Sequence, residues 1–301
     1  MDAREGRLVV DDAGHEIHYL VYGEGEETLI GLHGGPGGTH RYLVRLGELA
    51  GDGLQVVLYD QLGSGLSDRP DDDSLWTTPY FVGELETVRQ KLGLGRMHVF
   101  GQSWGGILAL QYALDHPDAV ASLVLSNTAA SIPECVQGMG RLRTELPPDL
   151  YSTLLRHEAT GEYEHPDYKA AVKQLYIRHL RRSTPFDPER ALREFAEIVE
   201  PITGDMGRPY YVMWGPNEFA ATGNLLDWDV TDRLGEIRVP ALILCGWYDE
   251  VTVSCHRTLA DGIPDNEFLI FGNSSQITIL EKEADLYLDA IRGFLRRARS
   301  R

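Results

Sequence analysis

The stretch Met97-His98-Val99-Phe100-Gly101-Gln102-Ser103-Trp104-Gly105-Gly106-Ile107 decides how this chain is read. Met97–Gly101 is a short apolar run of strand type, and Ile107–His116 has the apolar spacing of a helix. Between them, Gly101 to Gly105 match Gly-x-Ser-x-Gly. A serine in that setting sits on a sharp strand-to-helix turn, with its hydroxyl standing clear of the backbone. The flanking glycines suit the turn, because side chains there would collide as the chain doubles back. The helix that follows aims its first amides at any negative charge developing beside the serine. Ser103 is therefore the expected nucleophile.

Working outward, strands are expected at Glu16–Tyr22, Glu27–Leu32, Leu54–Tyr59 and Val120–Ser126, with helices at His40–Leu49 and Pro79–Leu92. Strands that alternate with helices and are apolar on both faces predict a mostly parallel sheet covered on both sides. From about Ser131 to Asp229 the rhythm changes. Helical stretches follow one another at Ile132–Leu146, Pro166–Leu180 and Pro188–Ile198, with no clear strand between them. Strands resume at Pro240–Cys245 and Glu267–Phe271, and Glu281–Arg297 is an amphipathic final helix. The expected architecture is an α/β core over residues 1–130 and 230–301, with an all-helical cap inserted over 131–229.

Composition narrows the function. The 301 residues carry 28 basic and 46 acidic side chains, a net charge of −18. Such a body repels phosphate backbones and anionic lipid heads, so neither nucleic acid nor a membrane surface is an expected partner. A small cationic molecule, such as a free amine, is favoured. Cys135, Cys245 and Cys255 show no metal-ligand spacing, and their odd number suits a reducing compartment. The start MDAREGRLVV has no apolar core of a secretory leader, and no apolar run approaches the ~20 residues needed to cross a bilayer. A cytoplasmic location is expected.

A second glycine-rich loop, His33-Gly34-Gly35-Pro36-Gly37-Gly38, directly follows the strand Glu27–Leu32. Glycines there let backbone N–H groups approach a substrate oxygen, so the amides of Gly35 and Trp104 are assigned to an oxyanion hole. A phosphate loop is excluded, because Gly-x-x-x-x-Gly-Lys-Ser/Thr is absent. His33 is expected to brace its loop rather than act as a base. Asp60, in the loop Tyr59–Ser67, is likewise read as a loop brace.

These stretches resemble the proline iminopeptidase branch of the α/β-hydrolases. The likeness rests on HGGPGG (His33–Gly38), YDQLGSGLSDRP (Tyr59–Pro70) and GQSWGG (Gly101–Gly106), and extends to DWDVTD (Asp227–Asp232) and GWYDEVT (Gly246–Thr252). GPNEF (Gly215–Phe219) brings it nearest to the tricorn-interacting aminopeptidases. The resemblance implies an α/β-hydrolase fold with a helical cap, no metal and no cofactor. The implied substrate is a short peptide or amino-acid amide with a free amino group. It implies Asp249 as the acid of the catalytic triad, and Glu218 and Glu250 as the carboxylates that hold the substrate's α-ammonium group.

One part of the pattern is broken. The family carries its histidine just after the last strand, in a Ser-Ser-His motif, whereas this chain reads Asn273-Ser274-Ser275-Gln276. A carboxamide accepts a hydrogen bond but cannot hold a proton or deliver one to a leaving amine. Losing the triad histidine costs on the order of 10⁶ in turnover. Neither His33 nor His256 is expected to substitute, His256 facing elsewhere on the next helix. His179 and the other histidines are expected to be satisfied structural groups. Gln276 is read either as a substitution made so that substrate binds without being consumed, or as the mark of a natural member that no longer hydrolyses. The expected activity is a serine aminopeptidase, strongly impaired as written. The alternatives are an amidase or esterase of the same fold, or a non-hydrolytic ligand binder. Tyr210, Tyr211, Trp214 and Trp228 either wall an apolar pocket fitting proline or form the core of the cap. Oligomeric state is not legible in the sequence.

Overall fold

The computed structural model describes residues 3–203 and 206–300. A single eight-stranded sheet runs through the core. Its strands in chain order are β1 (Ala3–Val9), β2 (Glu16–Tyr22), β3 (Glu27–Leu32), β4 (Leu54–Asp60), β5 (Met97–Gln102), β6 (Val120–Ser126), β7 (Ala241–Gly246) and β8 (Asn266–Phe271). Their spatial order is β1-β2-β4-β3-β5-β6-β7-β8. The pairs β1–β2 and β2–β4 are antiparallel, and all the others are parallel.

The strand alternation sorts side chains to two faces. On one, Ile30, Leu32, Val57, Val99 and Leu123 pack in one apolar cluster with residues of α1 (Thr78–Lys91) and α2 (Trp104–Asp115). On the other, Leu29, Val56, Leu58, Phe100, Val124, Leu242 and Leu244 share a cluster with the last helix. Each faces opposite to its neighbour in the chain, as a period of two requires.

From β6 to β7 the chain runs through α3 (Ile132–Arg143), α4 (Pro148–Thr160), α5 (Pro166–Leu175), α6 (Pro188–Glu194), α7 (Glu200–Thr203) and α8 (Gly207–Met213). Five-residue π turns extend α5 to Leu180 and α6 to Val199. The insertion is pinned at its neck, where Ile132 N–H donates to Trp228 O and Val230 N–H donates to Ala130 O. Helices α9 (Val253–Gly262) and α10 (Ala284–Arg299) complete the core. On α10 the buried residues Tyr287, Leu288, Ile291, Phe294 and Leu295 repeat at three and four, the stripe that marks a helix lying on a sheet.

The strand β1 escapes the sequence pattern, because exposed charges at Arg4, Glu5 and Arg7 disguise an edge strand. His40–Leu49 is helical as expected, in the 3₁₀ form. The chain leaves β3 toward β4 and leaves β5 toward β6, on opposite sides. The carboxyl ends of β3 and β5 therefore flank a switch point, where open α/β sheets bind ligands.

Glu84 on α1 is almost fully buried. One carboxyl oxygen accepts Leu62 N–H at 2.9 Å, and the other has no partner. Burial raises its pKa to about 8. An acid held above its unfolded value binds a proton that the unfolded chain has released, so its contribution to stability falls as pH rises from about 4.5 to about 8. Glu84→Gln keeps an acceptor for Leu62 and cannot ionise. It should raise the melting temperature more at pH 8 than at pH 5, read by calorimetry. An equal change at both pH values contradicts this account.

Candidate active site

Ser103 lies between β5 and α2 with φ 54° and ψ −123°, left-handed backbone that a non-glycine residue adopts only under constraint. The constraint is visible. Ser103 N–H donates to Ser126 O at 3.0 Å, and Ser103 O accepts Gly106 N–H and the Thr128 hydroxyl, both at 2.8 Å. A Cβ on Gly105 would lie 2.1 Å from Leu32 O, and one on Gly101 would lie 2.1 Å from Gly105 O. Helix α2 starts at Trp104, three residues before the expected Ile107, so the first helical amide directly follows the serine.

The loop after β3 is fixed just as firmly. Gly35 has φ +118°, open only to glycine at this geometry. Gly34 N–H donates to Tyr42 Oη, whose hydroxyl donates to Gln102 Oε1 at 2.7 Å, and Gln102 Nε2 donates to Gln276 O at 3.1 Å. His33 is fully buried. Its Nδ1–H donates to Gly34 O at 2.9 Å and its Nε2 accepts Gln61 N–H at 3.0 Å. Both ring nitrogens are spent and the ring is neutral, so His33 braces the loop as expected. Asp60 also braces: it accepts His40 N–H, His40 Nδ1–H and Leu66 N–H.

A cleft of about 690 Å³ brings together Gly35, Ser103, Glu218, Glu250 and Gln276. A neighbouring cavity adds Trp104, Ile107, Met139 and Trp214 around the same serine and the same two glutamates. Of the four aromatic residues singled out, only Trp214 lines either space. Tyr210 is buried and donates to Glu218, Tyr211 is 56% exposed, and Trp228 donates to Gln111.

Asp249 lies behind the cleft, 2% exposed. Its oxygens accept Asn127 Nδ2 at 2.7 Å and Val251 N–H at 2.9 Å. Gln276 does not bond to it. Instead, Gln276 Nε2 donates to Asn127 O at 3.2 Å, and Gln276 Oε1 is buried without a partner. Asn127, held at φ 50°, thus links Asp249, Ser275 O and Gln276. The sequence reading passed over it. Its one signal is its place directly after a strand, β6, that lies beside the strand leading into Ser103.

Burial pushes the carboxyl pKa of Asp249 well up, against the pull of its two hydrogen bonds. Burial also raises Glu218 to about 7, and raises Glu250 through burial and the charges of Glu218 and Asp249. One oxygen of Glu250 is buried and unpartnered.

Two histidine expectations need correction. His256 does not face away: its Nε2 lies 3.9 Å from Asp249 Oδ2. That nitrogen accepts Thr128 N–H at 3.1 Å while Nδ1–H donates to Thr252 O, so the ring has no free site for a serine proton. His179 is not fully satisfied. Its Nδ1–H donates to Tyr248 O at 3.0 Å, but Nε2 is buried and unpartnered. Its carbonyl accepts Gln276 N–H, and Leu180 O accepts Ile277 N–H, so this part of the insertion is stitched to the loop carrying Gln276. Burial holds both rings near pKa 4, hence neutral.

The family model described as alpha/beta hydrolase fold matches residues 27–283. A proline iminopeptidase of Saccharolobus solfataricus is 40% identical over 94% of this chain and 89% of its own length. The chain belongs to the proline iminopeptidase family of α/β-hydrolases. A second relative, the proline iminopeptidase of Thermoplasma volcanium, is 37% identical over 89% of each chain. Among solved structures, the proline iminopeptidase of Mycobacterium smegmatis superposes with a TM-score of 0.82 at 34% identity, covering 99% of this chain and 98% of its own. VinJ superposes with a TM-score of 0.85 at 35% identity, covering 98% and 99%.

The turn at Ser103 depends on the absence of a side chain at 105. Gly105→Ala should cost roughly 2–3 kcal/mol or more, because the new methyl meets rigid backbone. Gly140→Ala, on α3 with nothing within 4 Å of the new carbon, should be neutral or slightly stabilising. Urea unfolding of the two variants separates them, and equal midpoints would contradict the packing argument.

Proposed function

We propose that this chain is a serine aminopeptidase of proline iminopeptidase type whose proton relay is broken at Gln276. The observation that carries the reading is one cleft shared by a serine on a strained turn, a glycine-loop residue and two carboxyl groups, Glu218 bonded to Tyr210 and Glu250 with one buried oxygen unpartnered. In this reading residues 131–229 form a cap domain on a core of 1–130 and 230–301. The cap encloses the cleft, which favours short substrates.

The substrate's α-ammonium docks on Glu218 and Glu250, two acceptors that line the cleft and form no ion pair among the described residues. This measures one residue from the N-terminus to the carbonyl at Ser103. Ser103 Oγ attacks that carbonyl, and the amides of Gly35 and Trp104 receive the oxyanion. The hydroxyl proton must then reach the leaving amine. Asp249 is set to orient a base at position 276, but the carboxamide there cannot carry the proton. Neither His33 nor His256 has a free nitrogen for the task. The acyl-enzyme therefore forms slowly, and water would release the amino acid from it.

Gln276→His should raise turnover of a prolyl arylamide by several orders of magnitude, toward the ~10 s⁻¹ of an ordinary enzyme. A parent chain already turning over at that rate would contradict this account of the base. N-acetylated substrate should be inert in both forms.

Amine binding should also depend on pH. The ammonium needs ionised carboxylates, and Glu218 ionises only near pH 7. Affinity for an amino-acid amide should therefore weaken as pH falls from about 7.5 to about 5.5, with proton release on binding at the lower values. Calorimetry in buffers of different ionisation heat reads both. Affinity that strengthens on acidification contradicts the Glu218–Glu250 role.

A further inference from the structure

The two amides assigned to the oxyanion belong to segments carried by different strands. Gly35 sits in the loop after β3, and Trp104 opens α2 after β5. A hole of this kind works only if the spacing of its donors is held within about 0.5 Å. Gln61 follows a third strand, β4, and is fully buried. Its backbone N–H donates to His33 Nε2 at 3.0 Å, and its side-chain Nε2 donates to His33 O at 3.1 Å. Its Oε1 accepts Trp104 Nε1–H at 2.7 Å, and its carbonyl accepts Ser64 N–H at 3.0 Å. Every polar group of the residue is thus committed. One carboxamide spans the residue two before Gly35 and the indole of Trp104.

We propose that Gln61 is a positioning residue that fixes the separation of the Gly35 and Trp104 amides, resting on the reading of those amides as the oxyanion hole. Filling space alone would need only an apolar side chain. The gap instead presents an acceptor, His33 O, on one side and a donor, Trp104 Nε1–H, on the other, and a primary amide serves both. The bond to His33 Nε2 also sets that ring's tautomer, which turns Nδ1–H onto Gly34 O and holds the peptide leading into Gly35. The indole has little freedom of its own, being 1% exposed and edge-on to Phe81 at 5.6 Å. Gln61 is in turn steadied through its neighbour, since Leu62 N–H donates to Glu84. Glu84, Gln61 and Trp104 thus form one line of support from α1 to the start of α2.

A brace of this kind acts on tetrahedral species and leaves ammonium docking alone, so two ligands distinguish it from general packing. Prolinal takes up the Ser103 Oγ–H across its carbonyl as a hemiacetal: the Oγ–C bond forms, the C=O π bond breaks, and the proton goes to the former carbonyl oxygen. That oxygen lies where the two amides converge. Prolinol offers the same amine with no carbonyl. In the chain as it stands, Gln61→Met should weaken prolinal binding by about tenfold or more while changing prolinol by less than about twofold, read by titration calorimetry. Trp104→Phe removes the Nε1 donor along with part of the buried ring, and keeps the backbone amide. It should cause a loss of similar size, with the double variant no weaker than the weaker single. In the Gln276→His background, Gln61→Met should lower kcat with KM unchanged. Parallel loss of both ligands, unaltered prolinal binding, or additive losses in the double variant would overturn the proposal. A parent chain that fails to bind prolinol overturns the amine-site reading beneath it, a result distinct from a Gln61→Met chain that binds both ligands as the parent does.

Discussion

The site depends on how closely α2 approaches the end of β3. A methyl group at 105 would stand 2.1 Å from Leu32 O and 2.8 Å from His33 O, so only hydrogen fits between helix and strand. That contact fixes where the helix begins and where the loop after β3 can run. The chain must reverse at Ser103 with φ 54°, and the strain is carried by hydrogen bonds to Ser126 and Thr128 on the next strand and beyond it. The hydroxyl is left without a backbone role and faces open space. The placement of Ser103, of the first helix amide and of the glycine loop is therefore the consequence of one packing constraint rather than three separate features.

The second constraint is electrostatic. Asp249, Glu218 and Glu250 are withdrawn from water in a protein that already carries a net charge of −18. Withdrawal from water raises the cost of ionising each, which pushes all three upward, and Glu250 is raised further by the charges of Glu218 and Asp249. Asp249 recovers part of that cost through Asn127 and the Val251 amide. Glu250 keeps an oxygen with no partner, and Glu218 has a tyrosine. A ligand bearing several N–H donors and a positive charge repays this deficit, whereas a neutral or anionic one leaves it standing. On the proposed reading, the electrostatics favour a cationic ligand before any shape argument is made.

Much of this was legible in the sequence because the demands are local. Gly101, Ser103 and Gly105 encode the turn, and apolar runs such as Val120–Ser126 encode buried parallel strands. The likeness of GPNEF to a family motif drew attention to Glu218, which no periodicity would have done. What escaped had distant causes. β1 hides behind its charges because it is an edge strand, paired only with β2 among the described residues. The orientation of His256 toward Asp249 is decided by Thr128, 128 residues away in the chain. Asn127 and Gln61 look like ordinary loop residues until the strand ends that they join are assembled. Single-residue propensity carries no information about which carbonyl will lie opposite which amide.

The Gln276 carboxamide makes no bond to the buried carboxyl of Asp249. It turns its N–H toward Asn127 O, and Asp249 is satisfied by Asn127 and Val251. Asp249 is therefore held independently of the side chain at 276. The uncompensated atom is Gln276 Oε1, buried with no donor, at a cost of about 1–3 kcal/mol. That cost falls on position 276 alone, while the loop around it is held by Ser275, Glu281 and the insertion's His179 and Leu180 through main-chain and carboxylate bonds that any side chain at 276 leaves in place. The scaffold around residue 276 is consequently independent of the side chain it carries.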